Sequence, residues 1–193
     1  MTIKIVSIGA SAGGVDGLKQ VLSGLKRPSN ISVLVVLHFP PEGPNLLPEI
    51  YKEICAFDIK EAESGEKMQP ETVYIAPPDY HLSAEQDLTL SLSSEDQVNF
   101  SRPSIDVLMD SVAVSFGPAA IGILLTGANH DGAQGMLRIH KLGGRTVVQD
   151  PQEAEYPAMP NSALELFRPT MVLTLKEINQ MMSSFSGARY GKK

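Results

Sequence analysis

Three short segments of this 193-residue chain carry the residue types of acyl-transfer chemistry. Gly9-Ala10-Ser11-Ala12-Gly13-Gly14 contains G-x-S-x-G, in which flanking glycines permit a tight turn that lifts the serine above the strand ends. His38 closes an apolar run and precedes Phe39-Pro40-Pro41, which forces the chain to turn. Asp131 lies in a second glycine-rich stretch, Thr126-Gly127-Ala128-Asn129-His130-Asp131-Gly132-Ala133-Gln134-Gly135. A hydroxyl, an imidazole and a carboxylate are the parts of a catalytic triad. Asp131 would hold one nitrogen of His38 while the other took the proton of Ser11. Each residue also has a plainer use: Ser11 and Asp131 as helix N-caps, His38 as an anchor for a loop carbonyl.

The elements that must position these residues weigh the two readings. Strand patterns at 3–8, 31–37, 119–125 and 146–149 alternate with helical patterns at 15–25, 45–54, 132–142, 160–167 and 176–182, the signature of an α/β fold with a largely parallel sheet. A short strand is expected at 171–173. Another helix opens at Arg102-Pro103-Ser104-Ile105-Asp106, with Ser101 or Arg102 ahead of a proline in its first turn. The middle of the chain breaks the rhythm: 73–76, 81–83 and 88–92 read as a small antiparallel excursion on the main sheet. Ser11, His38 and Asp131 each follow a strand, and in open parallel sheets ligand chemistry gathers at strand carboxyl ends. Coincidence of all three there favours joint catalysis. The first turn also suits a dinucleotide pyrophosphate poorly, because its spacing is G-x-x-x-G-G and the second strand ends in histidine rather than an acid.

Composition excludes several other classes. The length suits one domain with a substantial core. A net charge of −6 argues against general nucleic-acid binding, and no apolar run is long enough to insert in a membrane. The N-terminus alternates like a strand rather than a secretory signal, so a cytoplasmic location is expected. Cys55 stands alone in Ile54-Cys55-Ala56-Phe57, which rules out an internal disulfide and reads as a buried bystander.

These segments resemble the catalytic domain of the chemotaxis receptor methylesterases (CheB type), which carries G-A-S-[TA]-G-G, a strand ending in His-x-Pro, and T-G-x-x-x-D-G-A-x-G. The likeness continues through Lys60-Glu61-Ala62-Glu63, Tyr74-Ile75-Ala76-Pro77, His81, Arg102-Pro103-Ser104-Ile105-Asp106-Val107-Leu108, Gln149-Asp150 and Met159-Pro160. It implies a doubly wound α/β catalytic domain, expected over 1–182; the small, polar and basic residues 183–193 read as a flexible tail, and the receiver domain that most members carry is a departure, not expected in this chain. It also implies a Ser11 nucleophile, a His38 base and an orienting Asp131; the backbone N–H groups of Ala12, at the helix start, and of Ala128 are candidate oxyanion donors. The implied reaction is hydrolysis of glutamyl methyl esters, with deamidation of selected glutamines, on the cytoplasmic helical region of methyl-accepting chemotaxis receptors. No cofactor or metal is called for. Arg102 and Met159 are candidate substrate contacts, and a receiver domain or response regulator acting in trans is a candidate partner.

Two departures stand out. Ala12 replaces the usual threonine after the nucleophile, and Ala128-Asn129 stand where many members have Met-Gly. The first leaves no hydroxyl beside Ser11, and the second alters the loop on which the receptor helix would sit. The changed loop around Ala128, together with the receiver domain that most members carry and this sequence does not show, keeps open a second reading, a non-hydrolytic module that docks receptor helices or another signalling protein. His81 reads as structural, His130 as a solvated loop position and His140 as an exposed helical one.

Overall fold

Strands that are apolar on both faces need cover on both faces, and the fold supplies it. The computed structural model describes residues 5–38 and 46–186. The chain runs β1 (Ile5–Ala10), α1 (Gly14–Leu22), β2 (Ser32–Leu37), α2 (Leu47–Lys52), β3 (Asp58–Glu61), β4 (Thr72–Ile75), β5 (His81–Ala84) and β6 (Leu90–Ser93). It continues through α3 (Ile105–Phe116), β7 (Ala120–Leu124), α4 (Ala133–Lys141), β8 (Arg145–Gln149), α5 (Ala158–Leu166), β9 (Met171–Leu173) and α6 (Leu175–Ser183). Seven strands form a sheet in the order β3-β4-β2-β1-β7-β8-β9, every pairing parallel.

Alternation along the strands sorts the core into two layers. Val6, Ile8, Val33, Val35, Ile121 and Ile123 pack toward Leu18, Val21 and Leu22 of α1 and Ile178 and Met182 of α6. Ile5, Leu34, Val36, Leu124 and Val148 face the other way, onto Ile105, Leu108 and Val112 of α3, Met136 and Ile139 of α4, and Met159 of α5. This is the doubly wound α/β architecture implied by the resemblance. From central β1 the order proceeds outward in both directions, so the loops after β1 and β7 meet at the switch point.

The middle of the chain differs from expectation. Thr72–Ile75 is a fully buried strand of the main sheet, paired with β2 through Val33↔Val73 to Val35↔Ile75, and is no part of the antiparallel excursion. Only β5 and β6 form that excursion, as a separate two-stranded sheet. Asp58–Glu61 adds an edge strand that the pattern did not reveal, because its Asp-Ile-Lys-Glu sequence is only partly covered and lacks an apolar run. The helix after Arg102 is capped by Ser104, whose hydroxyl accepts from the Val107 N–H, so the proline lies before the cap rather than in the first turn. At the C-terminus, the Ser29 hydroxyl donates to the Phe185 carbonyl at 3.2 Å, and Phe185 packs on the core, so order extends into the segment expected as tail. Residues 187–193, like Phe39 and Pro40 of the His-x-Pro segment, lie outside the described residues.

Candidate active site

Ser11 is placed by the turn between β1 and α1 and tied across the switch point. Its N–H donates to the Thr126 carbonyl at 3.0 Å, and the Thr126 hydroxyl donates to the Ala12 carbonyl at 3.0 Å. Thr126 is held in turn by Gln149, whose buried side-chain oxygen accepts the Thr126 N–H at 2.8 Å. Gly13 adopts φ 74°, a left-handed conformation that glycine enters without steric cost, and serves as the N-cap of α1 without a side-chain hydrogen bond. Ser11 is therefore not the cap. Among the described residues its hydroxyl has no hydrogen-bond partner.

His38 arrives beside it by register. β1 and β2 pair as far as Ala10↔Leu37, and the His38 N–H donates to the Ala10 carbonyl at 3.1 Å, so Ser11 and His38 are the next residues off adjacent strand ends. Both line one cleft together with Ala12, Val15, Leu46 and Ile50. A separate groove lies between α3 and α4, where Asp110 and Arg138 pair at 3.3 Å, but none of the three triad candidates lines it.

Asp131 completes the arrangement from the loop before α4. Its Oδ2 meets His38 Nε2 at 3.0 Å. The carboxylate is fully buried, and four more donors converge on it. Asn99 Nδ2 (2.9 Å), the Ser104 hydroxyl (2.8 Å) and the Asp106 N–H (3.1 Å) reach Oδ1, while the Ile105 N–H (2.6 Å) reaches Oδ2. Two of these are free N–H groups of the first turn of α3. Asp131 thus caps a helix 25 residues upstream, while the N-cap of its own following helix is Gly132. Burial works against the charged form, but donors from His38, Asn99, the Ile105 N–H and Ser104 outweigh it and hold the carboxyl below the ordinary aspartate range.

The remaining expected residues have differing surroundings. No hydrogen bond to a described residue engages the Ala12 or Ala128 N–H, and of the two residues Ala12 lines the cleft with Ser11 and His38. Arg102 spends its guanidinium inside the chain, donating to Asp79 Oδ1 from Nε (2.9 Å) and one Nη (2.7 Å) and to the Ser94 and Glu95 carbonyls from the other. Met159 is fully buried beneath the cleft; its N–H donates to the Gly127 carbonyl at 3.0 Å and its side chain packs where a Gly127 Cβ would stand. His81 is buried and accepts the Ser104 N–H at Nδ1 (3.1 Å), so it sets the cap that reaches Asp131. His130 is exposed, and exposed His140 packs at a tilt of 39° against Phe167 with ring centroids 5.1 Å apart. Cys55 is half-buried, and burial pushes its thiol up.

The sequence assigns no site role to Asn99 or Ser104, and marks Asn129 only as a departure from the family pattern. Asn99 bridges two carboxylates, Asp131 and Asp106 (2.7 Å), from a turn in which it has φ 52° and Phe100 φ 60°. Burial and the nearby Asp131 raise the Asp106 carboxyl, against donors from the Gly135 N–H and Asn99. One signal was available: the N-terminus of α3 needs acceptors for its first N–H groups, and a distant aspartate can supply them.

Known proteins resemble this chain along nearly its whole length. A family model described as CheB methylesterase matches residues 6–182. A protein of Leptospira interrogans, provisionally named as a protein-glutamate methylesterase/protein-glutamine glutaminase, is 42% identical over 181 residues, which cover 94% of each chain. A Yersinia pestis protein named protein-glutamate methylesterase/protein-glutamine glutaminase is 36% identical over 93% of this chain, which spans about half of that relative (52%). Among solved structures, the Thermotoga maritima CheB methylesterase catalytic domain superposes with a TM-score of 0.89 at 30% identity, over 95% of this chain and 99% of that one.

Proposed function

We propose that this chain, which belongs to the CheB methylesterase family, is a serine hydrolase that removes methyl esters from glutamate side chains of methyl-accepting chemotaxis receptors. Deamidation of receptor glutamines fits the same chemistry. The observation that carries the reading is the buried Asp131, met by five donors, bound to a histidine that shares its cleft with a serine hydroxyl left without a partner among the described residues.

In this reading Ser11 Oγ attacks the side-chain ester carbonyl while His38 Nδ1, the ring nitrogen turned away from Asp131, takes its proton. The anionic oxygen of the tetrahedral intermediate accepts from the Ala12 and Ala128 N–H groups. Asp131, kept ionised by its donors, stabilises the imidazolium. Collapse breaks the bond to the methoxy oxygen, which leaves as methanol with the proton from His38 Nδ1. Water, deprotonated by the same nitrogen, then cleaves the acyl-enzyme and releases glutamate and free Ser11. With glutamine the leaving group is ammonia. The substrate is the cytoplasmic helical part of the receptor, which places the enzyme in the cytoplasm. No helix among the described residues is long and apolar enough to cross a membrane.

Methanol release from methylated receptor tests the proposal. Ser11→Ala should lower kcat by roughly 10⁴-fold or more, as in other triads. Undiminished release by the alanine variant overturns the assignment.

A further inference from the structure

The His38 ring has two nitrogens, and the structure occupies both. Nε2 meets Asp131, and Nδ1 lies 3.2 Å from the side-chain nitrogen of Asn129. The orientation of that amide is fixed independently, because Asn129 Oδ1 accepts the Asp131 N–H at 3.0 Å. The amide nitrogen therefore faces His38, and an amide nitrogen can only donate. Nδ1 must present a lone pair, so the ring proton sits on Nε2 and is given to Asp131. One loop, three residues long, thus sets the tautomer from both sides.

This arrangement has a cost for the reaction. The lone pair that receives the Ser11 proton is already filled by Asn129, while the Ser11 hydroxyl has no partner among the described residues. We propose that Asn129 caps the catalytic base in the resting enzyme, and that its amide must leave Nδ1 before Ser11 can be deprotonated. Asn129 is a positioning residue, acting on the substrate only through His38. The inference rests on the proposed triad and deepens it: this chain has a resting state in which tautomer and base are stored together but not engaged. Among the CheB-type sequences it resembles, many carry a glycine here, which can make neither bond.

Two variants separate the parts. Asn129→Ala removes the cap; loss of one hydrogen bond to the base should accelerate phosphonate labelling of Ser11 about two- to tenfold at neutral pH. Damage to the loop alone would slow it. Asn129→Asp keeps an oxygen for the Asp131 N–H but sets a carboxylate oxygen against Nδ1, which favours a ring protonated on both nitrogens. Asp131 faces the ring from behind, Asp16 lines the cleft from α1, and Glu155 lies beside Gly13, so the new charge joins an acidic surround. The acid limb of the labelling profile should move to higher pH than in wild type, and ¹⁵N spectra should show a proton on His38 Nδ1 under conditions where wild type carries none.

An Asn129→Ala rate at or below wild type in folded protein overturns the cap, as does an Asn129→Asp profile superposing on wild type. The aspartate variant decides if the alanine variant does not fold. Failure of the triad reading looks different: wild type itself would resist labelling, while the ¹⁵N spectrum of its resting ring would still report whether Nδ1 carries a proton.

Discussion

Asn99 offers the most direct test of how the acid end of the site is built. Its single amide nitrogen donates to Asp106 at 2.7 Å and to Asp131 at 2.9 Å, and its backbone sits at φ 52°. Asn99→Ala removes two hydrogen bonds to charged groups, each worth about 1.5–3 kcal/mol, although sharing and partial burial keep the sum below full additivity. Alanine at a left-handed φ adds about 1 kcal/mol. A loss of about 3–5 kcal/mol by urea unfolding at pH 7 is expected, a large share of a stability of about 5–15 kcal/mol.

The pH dependence sharpens the test. Asp131 has a lowered folded pKa, so its contribution is present above the unfolded value near 3.9 and is lost as pH falls through the folded one. Asp106 has the opposite sign: its pKa is raised, its ionisation costs stability at neutral pH, and the cost is relieved as pH falls through its folded value. Removing Asn99 raises both, so the gap between variant and wild type should narrow toward acid. Asn99→Asp would set a third carboxylate against the pair and should be less stable than Asn99→Ala at pH 7. A loss under about 1 kcal/mol for alanine, or an aspartate variant at least as stable as it, refutes the reasoning.

Two further substitutions probe the cleft and its rim. Gly127→Ala would press a Cβ onto the Met159 side chain and to 3.0 Å from Ser11 Cβ. Displacement of the nucleophile by a fraction of an ångström should lower kcat/KM for a small ester about 10- to 100-fold, and unchanged turnover would show that the turn absorbs the methyl group. Arg102→Ala releases Asp79 and two carbonyls, and should lose about 1–2 kcal/mol in urea unfolding with KM for methylated receptor within about twofold of wild type. A large rise in KM at unchanged stability would make Arg102 a substrate contact instead.

The parts of the fold that could be read in the sequence are those where one physical demand dominates. Central strands such as Ser32–Leu37 must be apolar throughout because both faces are covered, and the glycine turns at Gly13 and Gly132 mark strand-to-helix reversals by their left-handed backbone. The positions of Ser11, His38 and Asp131 after strand ends follow from those elements. What escaped was set by tertiary context. Asp58–Glu61 is a strand because β4 offers it an edge, not because its own residues alternate. Asn99 and Ser104 find Asp131 across 32 and 27 residues, through an irregular turn and a helix start whose meeting no local pattern encodes. Asp131 looked like the cap of its own helix, and the structure gives it to another.

That last exchange bears on how related sequences should be interpreted. Asp131 pins the start of α3 against the switch point, so a lineage that abandoned hydrolysis would still be under pressure to keep it. Among the described residues the Ser11 hydroxyl supports no other group, so it could drift at little structural expense. Persistence of the aspartate in a divergent homologue therefore testifies to architecture, whereas persistence of the serine testifies to selection for chemistry.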